Sequence, residues 1–304
     1  MFTGSAVALV TPFREGKVDF DALEKLIDFH MAGGTESVLV CGTTGESATL
    51  THAEHKAIIE HSVNYLKDKR GDHRYPLLMA GTGSNNTVEA LDLTSFAQEA
   101  GADLVLLITP YYNKPTQRGL LEHFRTIARS VDIPQVVYNI QSRTGVNVST
   151  DTMVELAAER NIIGVKEASG NIAQISDVIR RCPQGFWVWS GDDGMTLPLL
   201  ALGGHGVISV IANIAPHETS RMVHDFLEGR VAEARAMHHK MTPLVNALFI
   251  ETNPIPVKTA INILSRNAEY GLPQAGEFRL PLVDLSPGNR QILERELRAF
   301  GFTF

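Results

Sequence analysis

Short apolar runs alternate with amphipathic stretches along most of the chain. The runs stay apolar at successive positions, which is typical of parallel strands covered on both faces. They begin near residues 5, 37, 76, 103, 134, 161, 186 and 206. Between the first two, residues 19–34 place Leu23, Leu26, Ile27 and His30 on one face of a predicted helix. The pattern therefore predicts eight strand–helix units.

The number of units decides between two α/β folds. Eight units favour a closed (β/α)8 TIM barrel, because an open doubly wound sheet usually has fewer strands. After about residue 229 the strand pattern ends, and helices are predicted at 231–249, 255–265 and 287–300. We expect a barrel catalytic domain over residues 1–229 and a small C-terminal helical domain over residues 230–304.

Composition narrows the class of protein. The 304 residues are 44% hydrophobic and 20% charged, with a net charge of −7. An acidic chain argues against nucleic-acid and anionic-membrane partners, and the chain has no apolar run of ~18 residues. The N-terminus lacks a basic region, so we interpret it as the first strand and not as a signal peptide. Cys41 and Cys182 have no metal-type spacing, and we expect two reduced thiols in a cytoplasmic protein.

Lys166 ends the sixth apolar run, in "NIIGVKEASG". Active sites of barrel enzymes gather at the C-terminal ends of the strands. Period-two alternation places residues 162, 164 and 166 on one face, and an inward face would bury the amine. Desolvation lowers the pKa of an amine, and a neutral amine forms a Schiff base with a carbonyl. The alternative is a solvated lysine paired with Glu167.

Tyr138 ends the preceding run, so we expect it beside Lys166 at the same height of the barrel. A phenol in that position can shuttle the protons of imine formation. The alternative is a core tyrosine with a backbone partner.

Two further motifs suit carboxylates. In "GTTGE", Thr43 and Thr44 lie in a turn between glycines, where hydroxyl and amide donors suit a small anion. The alternative is a cap for the helix that starts near Thr51. In "SRTG", Arg143 can hold a second carboxylate through two hydrogen bonds, although most loop arginines are simply exposed.

Other motifs are weaker. "AGTGSNN" lacks the full dinucleotide-binding spacing. Asp192 and Asp193 suit a helix cap better than a metal pair. His52 and His55 have no third ligand for zinc, so we expect no metal site.

The motifs together resemble the dihydrodipicolinate synthase family. The resemblance extends over nearly the whole chain, through "VTPF", "GTTGESATL", "AGTGSN", "TPYYNKP", "YNIQSRTG", "IIGVKEASGN", "SGDD", "GGHGVISV" and "NPIPVK". It implies a barrel with a C-terminal helical domain, assembled as a homotetramer of two tight dimers. It also implies a lyase that condenses pyruvate with L-aspartate 4-semialdehyde in lysine biosynthesis through diaminopimelate, without a metal or organic cofactor.

By resemblance, four residues are catalytic. Lys166 carries the pyruvate imine, and Tyr138 donates and accepts protons. Thr43 and Tyr112 complete a proton relay, with Tyr112 reaching in from the neighbouring subunit.

By resemblance, four more residues bind substrate. Thr44 binds the pyruvate carboxylate, Ile208 lines the pyruvate site and Arg143 faces the carboxylate of the semialdehyde. Gly191, in "SGDDG", is the fourth substrate-binding residue.

The family also has members that are inhibited by L-lysine at the tight-dimer interface. We expect feedback inhibition here, with Glu89 as partner of the inhibitor's ammonium group. The matching positions are Ser47, Ala48, His52, His55, Asn85, Glu89 and Tyr111.

The sequence departs from the family at Gln141, where proline is usual, and glutamine could loosen the loop that carries Arg143. One alternative function is another pyruvate-dependent aldolase or lyase, such as an N-acetylneuraminate lyase-like enzyme, with the same lysine and tyrosine. Arg143 argues against a sugar chain, whose pocket needs hydroxyl partners. A non-catalytic sensor of a 2-oxo acid or of lysine is the other alternative, although a sensor has no need of a proton relay.

Overall fold

A computed structural model describes residues 1–71 and 76–304. The strands are β1 Gly4–Ala8, β2 Phe13–Arg14, β3 Lys17–Val18, β4 Ser37–Val40, β5 Leu77–Gly81, β6 Leu104–Ile108, β7 Gln135–Asn139, β8 Ile162–Glu167, β9 Trp187–Ser190 and β10 Gly206–Ser209. Eight of them form a closed parallel barrel, because β1 pairs with both β4 and β10. All eight runs predicted from the sequence are barrel strands. The hairpin of β2 and β3 was not predicted.

Helices follow the barrel strands and surround them. They are α1 Phe20–Ala32, α2 His52–Arg70, α3 Thr87–Ala100, α4 Gln117–Ser130, α5 Gln141–Thr144, α6 Thr150–Leu156, α7 Ile172–Arg181, α8 Thr196–Ala201, α9 Pro216–Leu227, α10 Val231–Leu248, α11 Ile255–Leu264 and α12 Pro287–Phe300. The buried face of α1 is the predicted one, with Leu23, Leu26, Ile27 and His30 inside. Among the described residues, every helix is too short or too polar to span a lipid bilayer.

Alternation along each strand separates two apolar layers. In β1, Ala6 and Ala8 belong to the cluster inside the barrel, whereas Val7 belongs to the cluster between the barrel and the helices. The inner cluster is closed at the N-terminal end, where the rings of Phe2 and Trp189 stack 5.0 Å apart. The interior is therefore a packed core, and the cavity that could hold a site lies at the C-terminal ends of the barrel strands.

The strand that carries Lys166 begins with an irregularity. Gln135 of β7 is in register with Ile162, but Val136 is already in register with Gly164. As a result Ile162 lies in the outer cluster. The prediction that residues 162, 164 and 166 share a face is wrong for residue 162, because this register shift interrupts the alternation.

The last three helices continue the outer layer. Leu244 of α10, Val257 of α11 and Leu293 of α12 are buried in the same apolar cluster as the outward side chains of the barrel. Residues 230–304, all described, add no strand of more than a single bridge residue. Because helices without strands follow the barrel, we propose that the barrel domain ends at residue 229 and that the helical domain begins at residue 230.

Candidate active site

Lys166 lies at the C-terminal end of β8 and is 5% exposed. It lines a cavity of about 460 Å³ whose wall also includes residues of the C-terminal segment. The pKa of its amine is lowered to about 7, chiefly by burial; the Asp193 carboxylate opposes the shift, and the Arg143 guanidinium adds to it. Glu167 does not pair with it, because that carboxylate accepts hydrogen bonds from Ser169 and Asn139 instead. The site therefore contains an amine that is substantially neutral near pH 7.

Tyr138 is the neighbour of Lys166 in register on β7. The Lys166 Nζ lies 4.3 Å from the centroid of the Tyr138 ring, and the tyrosine is 5% exposed. Burial raises the pKa of the phenol, so it is protonated at neutral pH. Within the described residues its hydroxyl has no hydrogen-bond partner, which leaves the proton available to a bound molecule.

Thr43 and Thr44 line the same cavity as Lys166. Their turn is closed by hydrogen bonds from Gly45 N–H to Gly42 O and from Glu46 N–H to Thr43 O, both 3.1 Å. Neither threonine caps α2, because Thr51 does so through Glu54 N–H.

Asn253, which the sequence reasoning did not single out, joins two of the predicted substrate residues. Its side-chain Nδ2 donates to Thr44 Oγ1 at 2.9 Å, and its backbone carbonyl accepts from Arg143 Nη2 at 3.3 Å. Its Oδ1 is buried without a partner among the described residues. The only signal in the sequence is the "NPIPVK" motif, which lies too far along the chain for spacing to connect it with the barrel.

Arg143 lies on the single helical turn α5 and lines the cavity. Gln141 is the first residue of that turn and is exposed. The loop is therefore ordered as helix with glutamine in the position where the family usually has proline.

Gly191 lies beside the side chain of Lys166 and lines the same cavity. A Cβ built on this glycine would lie 2.9 Å from Lys166 Cε, so any side chain there would displace the amine. Asp192 caps the following turn, as predicted. Asp193 does not: it is buried and accepts hydrogen bonds from Val210 N–H at 2.9 Å and Ile211 N–H at 3.1 Å. Burial raises the pKa of Asp193, and its role beside Lys166 was missed.

Two predicted site residues lie away from the cavity wall. Ile208 is buried inside the barrel, in register with Ala6 of β1. Tyr112 is 89% exposed, with a backbone φ of 72° in the left-handed region. A single chain thus brings Lys166, Tyr138 and Thr43 to one cavity but leaves Tyr112 outside it.

The cavity extends towards the positions predicted to bind L-lysine. His52 Nε2 lies 2.5 Å from Glu89 Oε1, whereas His55 Nε2 donates to Gly81 O at 2.7 Å. Burial lowers the pKa of His55, and a hydrogen bond from Ser84 lowers that of Glu89. Six of the seven positions line the cavity: Ser47, Ala48, His52, His55, Glu89 and Tyr111. The seventh, Asn85, donates to Tyr111 O at 3.1 Å. No group of three or more metal-binding side chains occurs in the described parts of the chain.

The chain is similar to known proteins over nearly its whole length. The model of the dihydrodipicolinate synthetase family matches residues 1–300. A 4-hydroxy-tetrahydrodipicolinate synthase from Syntrophus aciditrophicus is 51% identical over 301 residues, covering 99% of each chain. The solved enzyme from Acinetobacter baumannii, chloride-inhibited and complexed with pyruvate, is 39% identical with a TM-score of 0.92 over 100% of both chains. The enzyme from Cyanidioschyzon merolae with lysine bound is 38% identical, with a TM-score of 0.92 over 99% of both chains.

Proposed function

The chain belongs to the dihydrodipicolinate synthetase family, and on that premise we propose that it condenses pyruvate with L-aspartate 4-semialdehyde through an imine on Lys166. The observation that carries the proposal is the buried amine itself, with a pKa of about 7, beside the protonated phenol of Tyr138. Such a lyase belongs to lysine biosynthesis through diaminopimelate, and we place it in the cytoplasm.

The reaction begins with the neutral Lys166 amine. It adds to the carbonyl carbon of pyruvate, and loss of water from the carbinolamine leaves a protonated imine. Tyr138 gives a proton to the departing hydroxyl and recovers one as the reaction proceeds, with Thr43 passing protons onward. The pyruvate carboxylate is held by the Thr44 hydroxyl, and Ile208 packs beneath the site.

The imine makes the pyruvate methyl group acidic. Its deprotonation gives an enamine, whose carbon attacks the aldehyde of the semialdehyde while Arg143 binds that substrate's carboxylate. The substrate's own amino group then displaces Lys166 from the imine carbon, closing the ring and freeing the lysine. The protonated imine acts as the electron sink, so we propose no metal or organic cofactor.

The exposed Tyr112 motivates an oligomer. Tyr112 is 89% exposed, has a backbone φ of 72° and lies outside the cavity of its own chain. We propose that a second copy places its own Tyr112 against this cavity in a tight dimer, and that two dimers form a homotetramer.

The Glu89 region motivates feedback inhibition. Glu89 has a lowered pKa and lines the cavity together with His52, so it offers a carboxylate to an ammonium group. The lysine-bound relative from Cyanidioschyzon merolae supports L-lysine as the ligand.

The test is turnover with matched substrates. The purified chain is given pyruvate with L-aspartate 4-semialdehyde, and separately N-acetylneuraminate alone. We expect product formation only in the first reaction. Cleavage of N-acetylneuraminate without condensation would assign the same lysine to a sugar-acid lyase, and absence of both activities would favour a sensor.

A further inference from the structure

A buried ion pair connects the C-terminal helices to the turn that carries Thr43 and Thr44. Lys258 of α11 and Glu46 are both fully buried, with 2.7 Å between Nζ and Oε1. The two residues are 212 positions apart in the sequence, so the contact exists only in the assembled fold.

The pair has a full set of partners. Lys258 Nζ also donates to Glu277 O at 2.6 Å and lies 4.3 Å from the centroid of the Phe13 ring. The second oxygen of Glu46 accepts from Arg279 N–H at 3.4 Å. Taking two charges out of water costs several kcal/mol per ion, and apolar replacements are often as stable. Stability alone therefore does not explain the pair.

Glu46 also holds a costly backbone conformation. Its φ is 54°, in the left-handed region, where a non-glycine residue costs about 1–3 kcal/mol. Its carbonyl accepts from Thr49 N–H at 2.9 Å and Thr49 Oγ1 at 3.0 Å. The side chain and the backbone of Glu46 are thus both fixed.

The same turn is fixed at its other residues. Thr11 Oγ1 donates to Gly45 O at 2.7 Å, and Asn253 donates to Thr44. Thr44 lies only two residues before Glu46, so a displacement of Glu46 displaces the hydroxyl of Thr44.

We propose that Glu46 and Lys258 are positioning residues, which hold Thr43 and Thr44 at the height where the carboxylate of the keto acid binds. The C-terminal helices are then part of the machinery that binds the first substrate. This inference rests on the proposed function, because it names pyruvate as the occupant.

The test separates the length of the side chain at position 46 from its charge. Glu46→Gln keeps the reach of the side chain, and its oxygen still accepts from Lys258. Glu46→Asp keeps the charge but is one methylene shorter, so it pulls the turn towards α11. We expect Glu46→Asp to raise the KM for pyruvate about fivefold or more, and Glu46→Gln to raise it less than about twofold.

A distant variant serves as the control for lost stability. Glu36 binds His224 Nε2 at 2.5 Å and Ser5 N–H at 2.7 Å, at the opposite end of the barrel. Glu36→Gln should lower the melting temperature and leave the KM for pyruvate unchanged. If Glu46→Asp does not fold, the double variant Glu46→Gln/Lys258→Met is used instead. It removes both charges of the pair, and we expect the same rise in the KM for pyruvate, about fivefold or more.

The outcomes are distinct. The positioning role is overturned if Glu46→Asp, or the double variant that replaces it, has the wild-type KM for pyruvate. It is also overturned if the KM follows the melting temperature across all variants, including Glu36→Gln. Borohydride trapping of pyruvate on Lys166 of the wild-type protein is measured alongside. Failure of that trapping overturns the proposed function, whereas trapping with an unchanged KM overturns only this inference.

Discussion

The Lys166 Nζ lies 4.3 Å from the centroid of the Tyr138 ring because the two residues are partners in the register of neighbouring strands. A slip of one residue in either strand would turn one of the side chains to the outer face of the barrel. The chemistry of the site therefore depends on the register between β7 and β8. That register shifts by one residue just after Ile162, and Tyr138 and Lys166 are paired in the shifted register.

The pH dependence of imine formation should report the pKa of Lys166. The neutral amine is the nucleophile, so the rate of pyruvate trapping at constant borohydride should rise with pH and reach half its maximum near pH 7. Arg143→Ala removes a positive charge that lowers this pKa, so the midpoint should move to higher pH. Asp193→Asn removes the opposing charge and should move it to lower pH. A wild-type midpoint near that of a free lysine would contradict the burial argument.

Gly191→Ala should displace the Lys166 amine and slow its reaction with pyruvate. The added Cβ would lie 2.9 Å from Lys166 Cε, and a misplacement of about 1 Å costs on the order of 100-fold in rate. The measurement is the rate of pyruvate trapping. Gly288→Ala is the matched control, since a Cβ there meets no atom within 4 Å. Equal trapping rates for the two variants would show that Gly191 does not constrain Lys166.

Gln141→Pro should be tolerated. Gln141 is the first residue of α5, a position where the fixed φ of proline suits a helix and no amide hydrogen bond is lost. We expect the KM for the semialdehyde to stay within about twofold of wild type, with stability raised by about 0.4–1 kcal/mol. Thr144→Pro is the control, because it removes the bond from Thr144 N–H to Ile140 O. A large loss of semialdehyde binding in Gln141→Pro would mean that glutamine itself contacts the substrate.

The barrel and its main chemical groups were predictable because they depend on local pattern. Continuous apolar runs predict the eight strands, and the ends of the runs predict the level of the barrel at which Lys166 and Tyr138 line the cavity. The β2–β3 hairpin was missed because two-residue strands carry no periodicity. Asn253 and the Glu46–Lys258 pair were missed for a different reason: each joins the C-terminal segment to a barrel turn, and no spacing rule connects residues so far apart.

Glu89→Ala should weaken inhibition by L-lysine without lowering the uninhibited rate. Loss of a hydrogen bond to a charged group costs about 1.5–3 kcal/mol, so the half-inhibitory concentration should rise about 10- to 150-fold. Asp92→Ala, on the same helix and paired with Lys56 at 2.8 Å, is the control and should not change inhibition. If lysine does not affect the wild-type initial rate, the regulatory proposal is wrong.

The most direct measurement of the central claim is reduction of the protein with borohydride in the presence of pyruvate, followed by peptide mass spectrometry. The account predicts one reduced pyruvate adduct per chain, on Lys166, absent in Lys166→Ala and present at full stoichiometry in Arg143→Ala. An adduct on another lysine, or no adduct at all, would contradict it.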